Sequence, residues 1–273
     1  MKEYEKEKVL KQLQILNVSP KRSLGQNFLI GTGVIEKIIQ RVQSLKAESL
    51  VEIGPGLGAL TEHLLMLSIP LKVIELDRIF AGYWREKQLD VREGDALQMD
   101  WGSLNLKNAC LVSNLPYQIS SSIVVDRTVQ PFGVESMVLM FQKEVAQRII
   151  AQPKSKQYGL LTVIAQAGWD IETVLEAGPN EFYPPPNVAS RVLLFKKKAS
   201  IINNFESFLG FVKAGFAQRR KFLLSNLKEI LSKNKVNRHE AEIYLLSLGY
   251  TSTVRAEELT VEHWQQFFNK FVR

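Results

Sequence analysis

Short apolar runs alternate with helix-like stretches between about residues 49 and 141. The apolar runs predict strands at LVEI (50–53), LKVIE (71–75), LDVRE (89–93), LVSN (111–114) and MVLMF (137–141). Apolar spacing of three and four residues predicts helices at GALTEHLLML (58–67), SSIVVDRTV (121–129) and QKEVAQRIIA (142–151). Two further strands are predicted at TVLEA (173–177) and SRVLLFKKK (190–198), on either side of a proline-rich loop. The alternation indicates an α/β fold with a mostly parallel sheet and helices on both faces.

The pattern changes near residue 201, beyond which apolar residues recur at helical spacing with almost no strand signal. The balance of basic and acidic residues changes at almost the same place. Residues 1–190 contain 20 Lys or Arg and 21 Asp or Glu, whereas residues 191–273 contain 15 and 7. This basic excess would suit a polyanionic partner, although a basic run taken alone is more often a solvated helix surface. We therefore expect one domain over residues 1–200 and a small, basic, all-helical domain over residues 201–273.

Composition restricts the class of protein. A chain of 273 residues, 45% of them apolar, can bury a sizeable core without disulfides or metal. Its single cysteine, Cys110, excludes an internal disulfide and fits a reducing compartment. No apolar stretch approaches the ~20 residues of a membrane span. The N-terminal MKEYEKEKVLKQLQIL mixes both charge signs and resembles a short surface helix, not a signal peptide. We expect a cytoplasmic protein without a membrane partner, and a monomer, since nothing suggests an obligate dimer.

Three strand ends carry residues that suit an adenosine-containing ligand. Gly54-Pro55-Gly56-Leu57-Gly58 follows the first strand of the sheet, at the edge where α/β sheets bind ligands. Taken alone, this loop could equally be a structural turn. Glu75 ends the next strand, 21 residues after Gly54, where an acid can accept hydrogen bonds from ribose hydroxyls. Asp95 follows the third and could accept from an adenine amino group or cap the next turn.

A fourth strand end reads Ser113-Asn114-Leu115-Pro116-Tyr117. A turn would need only the asparagine and the proline, so a turn does not account for the tyrosine. In isolation, Tyr117 would be read as a core aromatic after a turn. In a parallel sheet, however, all four strand ends converge on one cleft. Their ordered set, more than any one of them, indicates a binding site.

The order G-x-G-x-G, acidic strand end, GDAL and NLPY resembles that of S-adenosylmethionine-dependent methyltransferases that act on an exocyclic adenine nitrogen. KRSLGQNFLI (21–30) and FYPPPNVASRV (182–192) narrow the resemblance to the ribosomal small-subunit RNA adenine dimethyltransferases, sister group of the erythromycin-resistance RNA methyltransferases. The match continues through QKEVAQRI (142–149), SKQYGLLTV (155–163), AQRRKFLLSNL (217–227) and RAEEL (255–259). It implies a Rossmann-like methyltransferase sheet followed by a small helical domain.

The resemblance also implies a set of cofactor contacts. Asn27 and Leu29 match the motif that closes over S-adenosyl-L-methionine, and Gly54, with Gly56 of the same loop, lies beside the methionine part. The other implied contacts are Glu75 to the ribose, Asp95 to the cofactor adenine, and Asn114 at the boundary between the cofactor and the target base.

An adenine amino group is a weak nucleophile, because its lone pair is delocalised into the ring. We expect Asn114 Oδ1 and a backbone carbonyl of the Leu115-Pro116 segment to accept hydrogen bonds from it, in a loop stiffened by Pro116. Tyr117 offers a ring on which an unpaired adenine can stack, and Phe182 matches the family position for a second aromatic. No metal is expected, since the sulfonium is already activated and the three histidines show no ligand spacing: His63, His239 and His263.

Phosphate contacts are expected from Arg219, Arg220 and Lys221, with Lys196–Lys198 nearby in sequence. The implied substrate is a pair of adjacent adenosines in the hairpin near the 3′ end of small-subunit rRNA, within an immature small subunit. Two alternatives stay open: erythromycin-resistance-type methylation of large-subunit rRNA, and a non-catalytic assembly or RNA-binding factor that kept the fold. A DNA adenine methyltransferase is less favoured, because Leu115 replaces the first proline of the usual motif.

Overall fold

The structure, a computed structural model, describes residues 2–21 and 25–272. Residues 22–24 of the KRSLGQNFLI motif therefore lie outside the described residues. The chain forms two compact units. The first unit comprises residues up to 127 together with 131–146 and 171–197, and the second comprises 128–130, 147–170 and the chain from 198 onward. Residues 147–170, which precede the predicted domain boundary, thus cluster with the C-terminal helices.

Nine strands are present in the described residues. They are β1 (Phe28–Leu29), β2 (Ser49–Ile53), β3 (Leu71–Glu75), β4 (Asp90–Glu93), β5 (Ala109–Asn114), β6 (Val134–Gln142), β7 (Trp169–Ala177), β8 (Phe182–Tyr183) and β9 (Ser190–Lys197). Seven of them form one sheet in the order β4-β3-β2-β5-β6-β9-β7. The pairs from β4 to β6 are parallel and β9 is antiparallel to β6, while β1 and β8 form a separate antiparallel pair.

Twelve α-helices are found in the same residues. They are α1 (Lys2–Ile15), α2 (Thr32–Ser44), α3 (Thr61–Leu65), α4 (Arg78–Glu86), α5 (Ser120–Val129), α6 (Lys143–Ile149), α7 (Leu160–Gly168), α8 (Phe205–Gly215), α9 (Leu223–Asn226), α10 (Lys228–Lys233), α11 (Arg238–Ser247) and α12 (Val261–Phe271). Within the described residues, no helix is both long and apolar enough to cross a membrane.

The central strands are buried because their apolar runs have neighbours on both sides. β2 lies between β3 and β5, with Leu50 and Val51 fully buried, and β5 is apolar from Ala109 to Val112. Continuous runs of this kind are typical of parallel strands covered on both faces. The arrangement brings the carboxyl ends of β2, β3, β4 and β5 to one edge of the sheet.

Two helices of the first unit differ from the sequence prediction. Helix α3 begins at Thr61 and not at residue 58, because Gly58 has a φ of +96° and ends the glycine loop in a conformation that no helix contains. Helix α1 is more than a surface helix: Val9 and Leu13, one turn apart, pack against Phe28 and Phe80.

The second unit has an aromatic core. Phe208 and Phe211 on α8 pack against Trp264 and Phe268 on α12, with ring centroids 5.3–5.8 Å apart. Tyr158 joins this unit by donating a hydrogen bond to the carbonyl of Leu259 at 2.7 Å. This bond is one of the contacts that join residues around 158 to the C-terminal helices.

Candidate cofactor and base site

A cavity lies at the carboxyl ends of β2, β3, β4 and β5. Its lining includes seven residues that the sequence assigned to the cofactor: Asn27, Leu29, Gly54, Gly56, Glu75, Asp95 and Asn114. Pro116 and Tyr117 of the predicted base site line the same cavity. The structure therefore brings together nine of the predicted residues from five separate stretches of chain.

The glycine loop is shaped by one close contact. Gly58 has a positive φ, and a Cβ built there would lie 2.7 Å from the Trp84 ring. The indole Nε1 of Trp84 in turn donates to the carbonyl of Gly56 at 2.9 Å. Helix α4 thus holds the loop in place, and a side chain at position 58 would displace it.

Glu75 supports the loop from the next strand. Its Oε2 accepts a hydrogen bond from the amide of Gly56 at 3.2 Å, and its Oε1 accepts from the amide of Asp77 at 2.8 Å. Burial raises the pKa of the Glu75 carboxyl, while these backbone hydrogen bonds oppose the shift. Its carboxylate is therefore fixed in orientation at the edge where the sequence predicted a ribose contact.

Glu52, which the sequence analysis did not single out, lines the same cavity. It lies two residues before Gly54, is only 2% exposed, and its Oε2 has no hydrogen-bond partner among the described residues. Burial is the main cause that raises the pKa of Glu52 to about 8, opposed in part by the Thr61 hydroxyl and reinforced by the charge of Glu75. The available signal was an acid inside an apolar strand, LVEI.

Asp95 and Asn114 are held by their neighbours. Asp95 Oδ1 accepts from the amide of Leu97 at 2.9 Å, so this side chain both caps a turn and lines the cavity. Asn114 Nδ2 donates to the carbonyl of Asn27 at 3.1 Å. This bond fixes the amide plane of Asn114, and within the described chain no hydrogen bond uses its Oδ1. An oriented acceptor therefore remains at the strand end.

The residues after Asn114 form the adjoining wall. Leu115 is buried, whereas Pro116 packs against the backbone near Gly25 and Gly54. Tyr117 is half-buried, and its hydroxyl lies 3.4 Å from Ser190 Oγ. Burial raises the pKa of Tyr117, so the phenol stays neutral at physiological pH. The ring is thus anchored by its hydroxyl end beside the asparagine.

Phe182 does not line the cavity. It pairs with Leu29 in the β1–β8 ladder, is 3% exposed, and belongs to the hydrophobic cluster that contains Val34 and Ile38. Its ring is buried in this structure, so its assignment as a second aromatic near the base stays a prediction. In this structure Phe182 instead supports the strand that carries Leu29 into the cavity wall.

Helix α1 supplies a wall that the sequence did not predict. Glu5, Lys8, Val9 and Gln12 line the cavity, and the Lys8 ammonium pairs with Glu62 on α3 at 2.5 Å. The apolar pair at positions 9 and 13 was the one available signal. It is short, and it stands in a run of charged residues.

The basic segment, residues 219–221, lies in the second unit, and Arg219 differs from the two residues that follow it. Arg219 Nε pairs with Glu257 at 2.6 Å, while Nη1 donates to the carbonyl of Lys156 at 3.0 Å. Arg220 and Lys221 are exposed, and their side chains have no hydrogen-bond or ion-pair partner among the described residues. Two of the three predicted phosphate contacts are therefore open to a ligand.

Taken together, the sheet and its strand-end cavity define the class: a Rossmann-like, S-adenosylmethionine-dependent methyltransferase. The model of the family described as "Ribosomal RNA adenine dimethylase" matches residues 17–271. The ribosomal RNA small subunit methyltransferase A of Bdellovibrio bacteriovorus is 50% identical over 269 residues, which are 98% of each chain. Its counterpart from Syntrophotalea carbinolica is 41% identical over 91% of this chain and 96% of that protein.

Solved structures agree with this assignment. A dimethyladenosine transferase from Plasmodium falciparum has a TM-score of 0.72 at 25% identity, covering 89% of this chain and 98% of that one. The 23S rRNA methyltransferase ErmE has a TM-score of 0.67 at 23% identity over 90% of this chain and 100% of its own, a likeness of fold. The chain belongs to the ribosomal RNA adenine dimethylase family, which confirms the predicted family, fold class and enzyme activity.

Proposed function

We propose that the chain transfers methyl groups from S-adenosyl-L-methionine to N6 of two adjacent adenosines in the 3′-terminal hairpin of small-subunit rRNA. The products are dimethyladenosines, and the step belongs to small-subunit biogenesis. Support comes from the small-subunit relatives and from one feature of the site above all. The Asn114 amide is held by Asn27, with Oδ1 left to accept, beside the anchored ring of Tyr117.

In this proposal the cavity holds the cofactor along the strand ends. Glu75 accepts from the ribose hydroxyls, Asp95 from the adenine amino group, and the loop containing Gly54 and Gly56 receives the methionine part. The cofactor, when bound, supplies an activated methyl group on a sulfonium. No metal is needed for this chemistry, and within the described residues no three metal-ligating side chains are grouped.

The target adenine lies against Tyr117 in this proposal, with its amino group directed at Asn114 Oδ1 and a carbonyl of the Leu115-Pro116 segment. These acceptors orient the nitrogen lone pair towards the methyl carbon. With the donor bound, a bond would form between N6 and the methyl carbon as the sulfur–methyl bond breaks, S-adenosylhomocysteine would leave, and one amino proton would pass to solvent. A neutral amide suits a second transfer, since the monomethylated amine must enter the same pocket.

RNA is held electrostatically by the basic segment. Arg220 and Lys221, exposed and unpaired within the described chain, supply phosphate contacts that position RNA without reading its sequence. Arg219 contributes indirectly, because its guanidinium is already bound to Glu257 and to the carbonyl of Lys156.

The test is to incubate the protein and labelled S-adenosylmethionine with unmethylated small-subunit particles, large-subunit rRNA and DNA, and to map the modified base. We expect label on N6 of two adjacent adenines near the 3′ end of the small-subunit rRNA, and none on the other nucleic acids. Label on large-subunit rRNA would favour the erythromycin-resistance-type alternative. No transfer to any of them would favour a binding factor.

A further inference from the structure

Asp77 is a buried carboxylate to which the proposed reaction gives no part. It lies two residues after Glu75, is only 5% exposed, and does not line the cavity. Its Oδ1 accepts a hydrogen bond from the amide of Ile79 at 3.0 Å, and this bond caps helix α4 at its first turn. One oxygen is enough for such a cap. The other oxygen, Oδ2, points to the N-terminal part of the chain and therefore has a second use.

Asp77 Oδ2 holds two residues that precede Asn27 in the chain. The Lys21 ammonium donates to it at 2.7 Å, and Gln26 Nε2 donates at 3.4 Å. Lys21 and Gln26 also bond each other: the Lys21 amide donates to Gln26 Oε1 at 2.8 Å, and the Gln26 amide donates to the Lys21 carbonyl at 3.3 Å. Burial favours the neutral acid, but the hydrogen bond from Lys21 lowers the pKa of Asp77, so the carboxylate is ionised at neutral pH.

The same stretch of chain contacts the base side of the cavity. The carbonyl of Asn27 accepts the hydrogen bond from Asn114 Nδ2 at 3.1 Å. A Cβ built on Gly25 would lie 3.7 Å from Pro116, so the backbone there packs directly on the loop that follows the strand end. The chain from Gly25 to Asn27 therefore bridges Asp77 and Asn114. Where Asp77 holds this chain, the position of the Asn27 carbonyl is fixed, and with it the plane of the Asn114 amide.

We propose that Asp77 is a positioning residue that orients the Asn114 amide for methyl transfer. Its carboxylate holds Lys21 and Gln26, and the carbonyl of the next residue, Asn27, fixes the amide. The inference rests on the proposed function, because it takes Asn114 Oδ1 as the acceptor for the target amino group. Asp77 itself touches neither the donor nor the base, so its substitution acts on transfer only through the segment that it holds.

The first test uses the ligand-free, full-length protein and needs no turnover. The side-chain amide resonance of Asn114, assigned from its loss in Asn114→Ala, reports the hydrogen bond to the Asn27 carbonyl in a nitrogen–proton NMR spectrum. Lys21→Met and Gln26→Met each remove one link to Oδ2 while leaving Asp77 and its cap of helix α4 intact. We expect both variants to shift the Asn114 resonance, because the carbonyl that it contacts is no longer held in place.

Lys72→Met is the matched control. Lys72 lies on β3, three residues before Glu75, and pairs with Asp90 at 2.6 Å, so its replacement also removes a lysine–aspartate ion pair. That pair joins β3 to β4, and its loss should leave the Asn114 resonance in place. Asp77→Asn is a further variant, which keeps a side-chain oxygen to cap α4 but loses the charge that holds Lys21. It should shift the resonance in the same direction as Lys21→Met.

The second test is the single-turnover rate of methyl transfer to unmethylated small-subunit particles at saturating S-adenosylmethionine. Lys21→Met and Gln26→Met should each slow transfer about 10–100-fold, because displacing a reacting group by about 1 Å can cost about 10²-fold. In an Asn114→Ala background the same substitutions should slow transfer no further, since the side chain that they position is gone. Lys72→Met should transfer methyl groups at the wild-type rate.

The outcomes separate the two proposals. If the wild-type protein methylates no small-subunit RNA, the proposed function fails and the role of Asp77 fails with it. If the wild-type protein is active but Lys21→Met and Gln26→Met leave either the Asn114 resonance or the rate unchanged, only the role of Asp77 is overturned. Equal slowing with and without Asn114 would also overturn it, because the links would then act elsewhere. So would an effect of Lys21→Met alone on RNA affinity, since that lysine would then be a phosphate contact.

Discussion

The cavity of the first unit and the basic segment of the second present their polar groups in opposite ways. In the cavity, Glu75 is held by two backbone amides and Asn114 by the carbonyl of Asn27. In the basic segment, Arg220 and Lys221 project from the surface without a partner in the described chain. Transfer to a weak nucleophile requires acceptors that are oriented in advance, whereas contact with a phosphate backbone requires only charge within reach.

Arg219 shows that both kinds of side chain, fixed and free, occur within the three residues of the basic segment. It has the charge of its neighbours but the fixed geometry of a cavity residue, because it bonds Glu257 and the carbonyls of Lys156 and Ser155. What holds a side chain in place, and not its residue type, therefore distinguishes the two regions. Substitutions should then affect chemistry, substrate affinity or stability according to that criterion.

The largest effect is expected from Asn114→Ala. Removing the oriented acceptor should lower the single-turnover rate of methyl transfer by at least about 10²–10³-fold, because the amino group would lose its orienting hydrogen bond. The fold should persist, since Asn114 is only partly buried and ends its strand. Quench-flow measurement of labelled methyl transfer, with circular dichroism as the control, tests this; a rate near that of the wild-type protein would remove Asn114 from the mechanism.

Tyr117 should show a smaller effect that depends on the ring. Tyr117→Ala should weaken productive binding of RNA about 5–150-fold, since stacking of a base on an aromatic ring is worth ~1–3 kcal/mol. Tyr117→Phe is the control, because it keeps the ring and loses only a 3.4 Å contact with Ser190. KM for RNA, measured for both variants, distinguishes stacking from a role of the hydroxyl. Equal losses in the two variants would assign the effect to the hydroxyl.

Arg220 and Lys221, the two basic residues that are unpaired in the described chain, should affect only the affinity for RNA. Arg220→Ala and Lys221→Ala should each reduce the slope of log affinity against log salt by about 0.7–0.9, and should weaken binding about fourfold at physiological salt. Filter binding of small-subunit rRNA fragments between about 50 and 500 mM salt measures the slope. An unchanged slope would show that neither side chain contacts a phosphate.

Much of the fold could be predicted because its signal is local. LKVIE coincides with β3, and the β5 and β9 strands were predicted to within two residues. The glycine loop, Glu75, Asp95 and Asn114 could be placed on one edge, because parallel strands put their carboxyl ends together. The N-terminal helix was predicted, but its packing against the cavity was not, since two apolar residues in a run of charged residues do not show which part of the protein they contact.

What could not be predicted depends on contacts between distant parts of the chain. Nothing in FYPPP tells whether Phe182 faces a ligand or the core, because its burial is decided by pairing with Leu29. The bond between Asn114 and Asn27 spans 87 residues and has no sequence signature. Glu52 is visible as an acid in an apolar strand, yet its lack of a partner can be seen only once β3, β5 and α3 surround it.

The smallest effect is expected from Arg219→Ala, which tests most directly whether Arg219 differs in role from Arg220 and Lys221. Loss of an exposed ion pair and of hydrogen bonds to two carbonyls should lower the free energy of unfolding by about 1–2 kcal/mol. Because the Arg219 guanidinium ties the turn at Ser155 and Lys156 to Glu257, the loss should be local to the second unit. Arg220→Ala, which breaks no contact in the described chain, should change stability by less than about 0.5 kcal/mol. Urea unfolding measures the stability of both variants, and hydrogen exchange at residues 154–158 locates the change.

If Arg219→Ala left stability unaltered but reduced the salt slope as Arg220→Ala does, then Arg219 would be a phosphate contact like its neighbour. The ion pair with Glu257 would then be exchanged for RNA on binding.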